Sequence, residues 1–430
     1  MRKSTLNASL SGRLKAKKRR KSRQGEKGLA EKREKDETVA GLKLNSRLLE
    51  LLAKLQEVEL EDFELEAGEL EIWLQPGAVA APIIAPPKAV APPVKAKPTQ
   101  ILEAEFTPPI ETYPGKVVEV KLGRRGGKSV VIGGETTPAF YTFERPTPHP
   151  PVISIDVFDM EVPLARAVKM HVKDVLGDPA AWAKLAVEKF GADMITVHLI
   201  SIDPLVKDAS PKEAVKTVEA VAQAVDVPLV IGGCGDPVKD ADVFQEVCET
   251  FAGERFLISS ITRDMDVERC AKFIKKTGHV ALAFTPMDLN IARELNRRLY
   301  DFLAKEDIVM DLTTAALGYG LDYAFTNMER ARLAALMGDP ELAHPMSSGT
   351  TNAWAAREAW MKMAPEWEPR ELRGPLWEVI TALTLLLAGV DLFMMMHPAA
   401  VKTVKDVIAQ LMGGKSGNAE RLVEWVTAKF

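Results

Sequence analysis

Asp307-Ile-Val-Met-Asp-Leu312, Gly318-Tyr-Gly320 and the run Leu321 to Leu336, closed by Gly338-Asp-Pro340, are the stretch that decides the fold. The first part is a short β-rich run ending on an acid. The two glycines give the backbone freedom for a sharp turn. Leu321, Tyr323, Phe325, Met328, Ala331, Leu333 and Leu336 then fall mostly on two adjacent helical rows. That spacing predicts a buried face, with Glu329, Arg330 and Arg332 on the wetter side and Gly338-Asp-Pro340 as the stop. Strand, loop and helix in this order make one βα unit.

The same unit recurs outward in both directions. Val152-Ile-Ser-Ile-Asp-Val157, Met194-Ile-Thr-Val-His-Leu199, Leu229-Val-Ile231, Phe256-Leu-Ile-Ser259, Val280-Ala-Leu-Ala-Phe284 and Val390-Asp-Leu-Phe-Met394 are short apolar runs. Such runs suit parallel strands buried on both faces. Helical segments are expected between the runs, at 178–190, 211–225, 239–252, 264–277, 287–304, 322–337 and 371–388. An eighth strand fits Leu342 to Ser348, before a helix expected at 350–362. Eight βα units over about 260 residues predict an α/β fold, a (β/α)8 TIM barrel, rather than an open doubly wound sheet.

The rest of the chain is organised around this barrel at 152–412. Residues 1–41 form a basic tail: 14 Lys and Arg against 4 acids in the first 36 residues, in a chain whose net charge is −4. Such a run without aromatic residues stays solvated and carries no nucleic-acid readout chemistry. Residues 42–75 read as a small acidic α+β module, with Leu44, Leu48, Leu51, Leu52 and Leu55 at helical spacing before an alternating Phe63 to Ile72. It is too small to bury much surface by itself. A Pro/Ala-rich linker follows at 76–106, with seven prolines between Pro76 and Pro98. At 107–151, Lys116 to Leu122 and Lys128 to Ile132 flank Gly123-Arg-Arg-Gly-Gly127 as a β-hairpin. A C-terminal helix is expected at 413–430.

Several chemistries are excluded or left open. Neither Gly126-Gly-Lys-Ser129 nor Gly413-Gly-Lys-Ser416 has the first glycine of a phosphate loop, since Leu122 and Ala409 stand there. Cys234, Cys248 and Cys270 are scattered, with no Cys-x-x-Cys. Val379 to Val390 is too short to span a bilayer, and no secretory signal is evident, so a cytoplasmic location is expected. In a barrel the loops after the strands form the functional face. Here they carry Asp156 and Asp159, His198 with Ser201 and Asp203, Gly232-Gly-Cys-Gly-Asp236, Ser259-Ser260, Thr285 to Asn290, Asp311 to Thr314, Ser347 to Asn352, and His397. This mouth suits a large polar ligand held by many hydrogen bonds. His198 and His397 read either as metal ligands or as hydrogen-bonded strand-end groups. Cys234 reads as a nucleophile or a small thiol in a tight turn, and Asp156 and Asp311 as general bases or helix caps.

Gly233-Cys-Gly-Asp236 with Lys239-Asp240, Pro286-Met-Asp-Leu-Asn290, Leu317-Gly-Tyr-Gly-Leu-Asp-Tyr323 with Met328-Glu-Arg330, Leu376-Trp-Glu378 and Met396-His-Pro398 occur in this order. Together they resemble the small (delta) subunit of the corrinoid iron–sulfur protein of the acetyl-CoA decarbonylase/synthase complex in the Wood–Ljungdahl pathway, over roughly Lys128 to Met412. The resemblance implies a barrel that covers a cobalamin shared at the interface with a large (gamma) subunit. That partner carries the [4Fe–4S] cluster and the cobalamin domain, with acetyl-CoA synthase and methyltransferase as transient partners. It implies no catalytic residue and no cluster in this chain, and no protein ligand to cobalt on the covered face. On it, Asp156, His198, Gly233, Asp236, Asp288, Asn290, Asp311, Gly318, Tyr319, Gly320 and His397 are the candidates for the corrinoid face. Two alternatives stay open: a methyltetrahydropterin:corrinoid methyltransferase, with Asp156, Asn290 and Asp311 holding the pterin, and a purely structural subunit. The basic tail departs from the family pattern.

Overall fold

The structure, a computed structural model, describes residues 111–141 and 147–413. The expected tail, acidic module, linker and the C-terminal helix beyond Gly413 lie outside the described residues. Everything described belongs to one compact unit that begins at 104.

Eight parallel strands close a barrel: β3 (Val152–Phe158), β4 (Met194–His198), β5 (Leu229–Gly232), β6 (Leu257–Ile261), β7 (Val280–Phe284), β8 (Ile308–Asp311), β9 (Met346–Ser348) and β10 (Leu392–Met395), with β10 pairing back to β3. The fold is the TIM barrel that the periodicity implies. Around it, among the described residues, run α1 (Arg166–Val172), α2 (Pro179–Glu188), α3 (Pro211–Ala224), α4 (Pro237–Thr250), α5 (Val267–Thr277), α6 (Leu289–Tyr300), α7 (Leu321–Leu336), α8 (Arg370–Leu387) and α9 (Pro398–Leu411). The helix starts follow local chemistry. Asp178, Ser210, Asp236, Asp266 and Asp288 each accept first-turn N–H groups of the helix that follows, and Pro stands in the first turn of α2, α3, α4 and α9.

The hairpin forms too, as β1 (Val120–Gly123) and β2 (Ser129–Ile132), with Val120 opposite Ile132. It seals the bottom of the barrel. Val120, Leu122 and Ile132 pack with the lumen-facing Val152, Met194, Val230, Leu257, Val280, Val309 and Leu392. Burying each large plug residue contributes about 1.5–3 kcal/mol. Because side chains alternate along a strand, the positions two and four above this apolar layer also face the lumen. They become polar: Ser154 and Thr196 share a hydrogen bond at 2.7 Å, and above them sit Asp156 and His198. The lumen is closed and apolar at its base and polar at its mouth.

The structure corrects four expectations. The segment 350–362 holds short 3-10 turns, Thr350–Ala355 and Arg357–Ala359, in place of a helix. Two helices that the periodicity did not mark are present, α1 and α9; α9 is apolar at both ends of its buried face. Tyr323 and Leu333 lie on the exposed side of α7, whereas Ala324, Ala331 and Ala335 are buried. The alanines share that face with Met328 and Leu336, both fully buried.

The fourth correction concerns Arg332, expected on the wetter side and found buried at the base of the barrel. Its guanidinium meets Glu135 at 2.7 Å and Asp391 at 2.8 Å and donates to the Gly389 carbonyl. Asp391 also accepts the Met346 N–H at 2.8 Å. Two carboxylates and a carbonyl make burial of the charge tolerable, and they tie the starts of β9 and β10 to the segment after the hairpin.

Candidate functional site

The floor of the mouth is built from paired strand ends. Strands β3 and β4 set Asp156 and His198 on the lumen face, with the imidazole Nε2 3.3 Å from Asp156 Oδ1. The ring stacks on Phe158 at 5.2 Å between centroids. Next to it, β5 ends in Gly232, where a Cβ would lie 2.9 Å from His198 Nδ1, so only glycine leaves the ring its place. Burial drives His198 toward the neutral form, but the Asp156 carboxylate, aided by Asp159, outweighs it and raises the imidazole pKa. Asp159 also fixes the loop after β4, accepting the Ser201 N–H at 3.1 Å and its hydroxyl at 2.5 Å.

Across the mouth, β8 and β9 bring Asp311 opposite Ser347. Asp311 accepts the Ser347 hydroxyl at 3.2 Å and the Thr313 N–H at 2.9 Å. Burial pushes its carboxyl up to about 6. A row of hydroxyls continues beside it, Thr314 to Ser348 to Thr350, each step 2.9 Å, and Asn352 donates to the Thr314 carbonyl at 3.0 Å. The Thr285 hydroxyl, directly after β7, is buried with no hydrogen-bond partner. Neither Asp156 nor Asp311 caps a helix; both stand in the mouth as polar floor.

The remaining candidates are placed differently. Gly233 lets the β5 loop close over Asp240, whose carboxylate accepts the Cys234 N–H at 2.8 Å and the Gly235 N–H at 2.9 Å. Cys234 donates its thiol to the same oxygen, and burial pushes that thiol up to about 11, so it is no thiolate at neutral pH. Asp236 caps α4 and Asp288 caps α6. Asn290 is exposed and accepts from Arg293 at 3.2 Å. It lines a groove between α6 and α7 with Asp288, Asn327 and Arg330, apart from the lumen. Gly318 and Gly320 both have positive φ, +79° and +97°, and Gly320 starts α7. Between them Tyr319 is exposed, and the Leu317 N–H is held by Thr381 of α8 at 3.2 Å.

His397 is fully buried. It caps α9 through Nδ1, which accepts the Ala399 N–H, and burial pulls its pKa down to about 3. Beneath it lies Glu378 of α8, which the sequence reading did not assign to the site. Its two oxygens accept the Met396 and His397 N–H groups at 2.6 and 3.0 Å, and burial pushes its carboxyl up to about 8. The signal available in sequence is an acid inside an apolar helix, Leu376-Trp-Glu-Val-Ile380. Thus Asp156, His198, Asp311 and the hydroxyl row come together in the mouth, Glu378 and Asp240 set the turns around them, and Asn290 stands apart. Among the described residues no group of three or more His, Cys, Asp or Glu is arranged to hold a metal ion. None of their helices is long and apolar enough to cross a membrane.

Residues 119–365 match a family described as CO dehydrogenase/acetyl-CoA synthase delta subunit. The acetyl-CoA decarbonylase/synthase complex subunit delta of Archaeoglobus fulgidus is 54% identical over 342 residues, 76% of each chain. Subunit delta 1 of Methanosarcina thermophila is 49% identical over 364 residues, 82% of this chain and 83% of that one. The Methanothermobacter thermautotrophicus subunit delta is 46% identical over 386 residues, 89% of this chain and 97% of that one. Identity at this level, over most of both chains, accounts for the barrel, for its mouth and for the ordered motifs from Gly233 to Pro398: the chain belongs to the CO dehydrogenase/acetyl-CoA synthase delta-subunit family.

Proposed function

We propose that this chain is the delta subunit of an acetyl-CoA decarbonylase/synthase complex and that its barrel mouth covers the methyl-bearing face of a corrinoid carried by a larger subunit. That partner would hold the [4Fe–4S] cluster and the cobalamin domain, with acetyl-CoA synthase and a methyltransferase as transient partners in the Wood–Ljungdahl pathway. The observation that carries the reading is the mouth itself. It offers hydroxyls, carboxylates and an imidazole from five strand ends, and no set of metal ligands among the described residues.

The donor chemistry fits a corrin, whose rim bears amides that donate and accept hydrogen bonds. The orphaned Thr285 hydroxyl and the Thr314–Ser348–Thr350 row are groups that such amides can satisfy. When bound, the corrinoid supplies the methyl-carrying cobalt. This chain's own residues would position its face and exclude water. Asp156 and His198 present a carboxyl–imidazole pair, Asp311 a carboxyl that can donate or accept near neutral pH, and Tyr319 an exposed ring at the rim. Asn290, a candidate for the corrinoid face and for the pterin alike, stands on the outer groove and does not separate the two readings.

The test is reconstitution. The isolated chain is expected to show no corrinoid or cluster absorbance and no methyl transfer. Coexpressed with its large partner, it should retain corrinoid in the heterodimer, and Tyr319→Ala or Thr285→Val should weaken that retention while leaving thermal unfolding unchanged. Turnover of a methyl-pterin with free cobalamin by the isolated chain would overturn the reading in favour of an enzyme. Unchanged retention and transfer in mouth variants would leave only a structural subunit.

A further inference from the structure

Helix α8 is apolar on both faces. Val379, Ala382, Leu385 and Leu386 pack inward, yet Leu376, Ile380 and Leu387 are 41, 41 and 57% exposed, with Leu383 half-buried between them. These four recur at i, i+4, i+7 and i+11, a single stripe along the outer side. From Leu376 to Leu387 the one charged residue is Glu378, and it is fully buried. The outer sides of other helices differ: α5 carries the Glu268–Lys272 pair and α6 carries Arg297 bonded to Glu341. A helix apolar all round belongs under another element.

The chain itself supplies that element. Both α8 and α9 follow parallel strands and pack side by side, so both end at the base of the barrel. Leu411, 39% exposed, stands where α9 ends, and Gly413 with φ +86° stops it. Residues 414–430 lie outside the described residues, but their sequence is informative: Ala419, Leu422, Val423, Val426 and Phe430 recur at i, i+3, i+4, i+7 and i+11, away from Glu420, Arg421 and Glu424. We propose that residues 418–430 dock as a helix antiparallel to α8 on its outer stripe, with Leu422, Val426 and Phe430 against Leu387, Ile380 and Leu376 in that order.

Lengths agree with this placement. The four steps from Gly413 to Gly417 reach about 14 Å, more than the 8–10 Å between packed helices. Thirteen helical residues span about 20 Å, and the stripe from Leu376 to Leu387 about 17 Å. A peptide of this length is marginal as a helix alone, so docking and folding are one event. The short tether holds the segment at an effective concentration on the order of millimolar, which favours it over a second copy in dilute solution.

The test uses the full chain with Ile380→Cys and Val426→Cys, oxidised at low protein concentration. Docking gives a disulfide within one chain whose yield does not depend on protein concentration, and Ile380→Cys with Glu424→Cys, on the opposite face, does not. In the unaltered chain, amides of 418–430 should exchange about tenfold slower or more than those of the Val426→Glu variant. A disulfide formed only between chains would assign the stripe to a second copy and overturn the proposal. Unprotected 418–430 amides in the unaltered chain, with α8 protected only when the large subunit is added, would assign the stripe to that partner and overturn it equally.

Discussion

Replacing Gly233 by alanine tests the physical basis of the β5 turn. A Cβ built there lies 2.4 Å from Cγ and from both oxygens of Asp240, well inside contact distance. Asp240 is 5% exposed and cannot swing into water without leaving the turn. If the carboxylate moves aside, the Cys234 and Gly235 N–H groups lose acceptors at 2.8 and 2.9 Å. Each bond to a charged group contributes about 1.5–3 kcal/mol, so with partial relaxation we expect a loss of about 3–4 kcal/mol for Gly233→Ala. Urea unfolding followed by circular dichroism measures it. The discriminating experiment is a double-mutant cycle. In an Asp240→Ala background the clash is gone, and Gly233→Ala should cost under about 1 kcal/mol, leaving a coupling of at least about 2 kcal/mol. An equal cost in both backgrounds would refute the steric reasoning, as would a cost under about 1 kcal/mol in the parent.

Arg332→Met should destabilise the chain by about 3–5 kcal/mol, because it leaves Glu135 and Asp391 buried without their cation, and thermal or urea unfolding would register it. Asp311 has its folded pKa raised to about 6 by burial, so the stability it contributes is complete below the unfolded value near about 4 and is lost as pH rises through about 6. Asp311→Asn should flatten the stability profile across that window, and an unchanged slope would count against the assignment. His198 should titrate above the ordinary imidazole value in an NMR titration, and Asp156→Asn should bring it down by removing the carboxylate that outweighs burial.

Much of this protein was legible along the chain because strands and helices are written in short-range periodicity. Val280-Ala-Leu-Ala-Phe284 and Ile308-Val-Met-Asp311 are strands as read, the eighth strand falls within Leu342 to Ser348, and the hairpin pairs around Gly123 to Gly127. Strand ends in a barrel share one face, so Asp156, His198 and Asp311 could be assigned to the mouth before any contact was known. What a side chain meets there was not local information. Asp288 and Asn290 stand four and six residues after β7, in the loop layer of the mouth by sequence, yet one caps α6 and the other faces the α6–α7 groove. Arg332 reads as a surface cation until residues 59 positions downstream bring Asp391 to it. Glu378 reads as a stray acid until closure of β10 against β3 sets the Met396 and His397 N–H groups over its carboxyl. Periodicity states which side of an element is apolar. Only closure of the barrel decides which polar groups are desolvated together, since that depends on pairs brought together from distant parts of the chain.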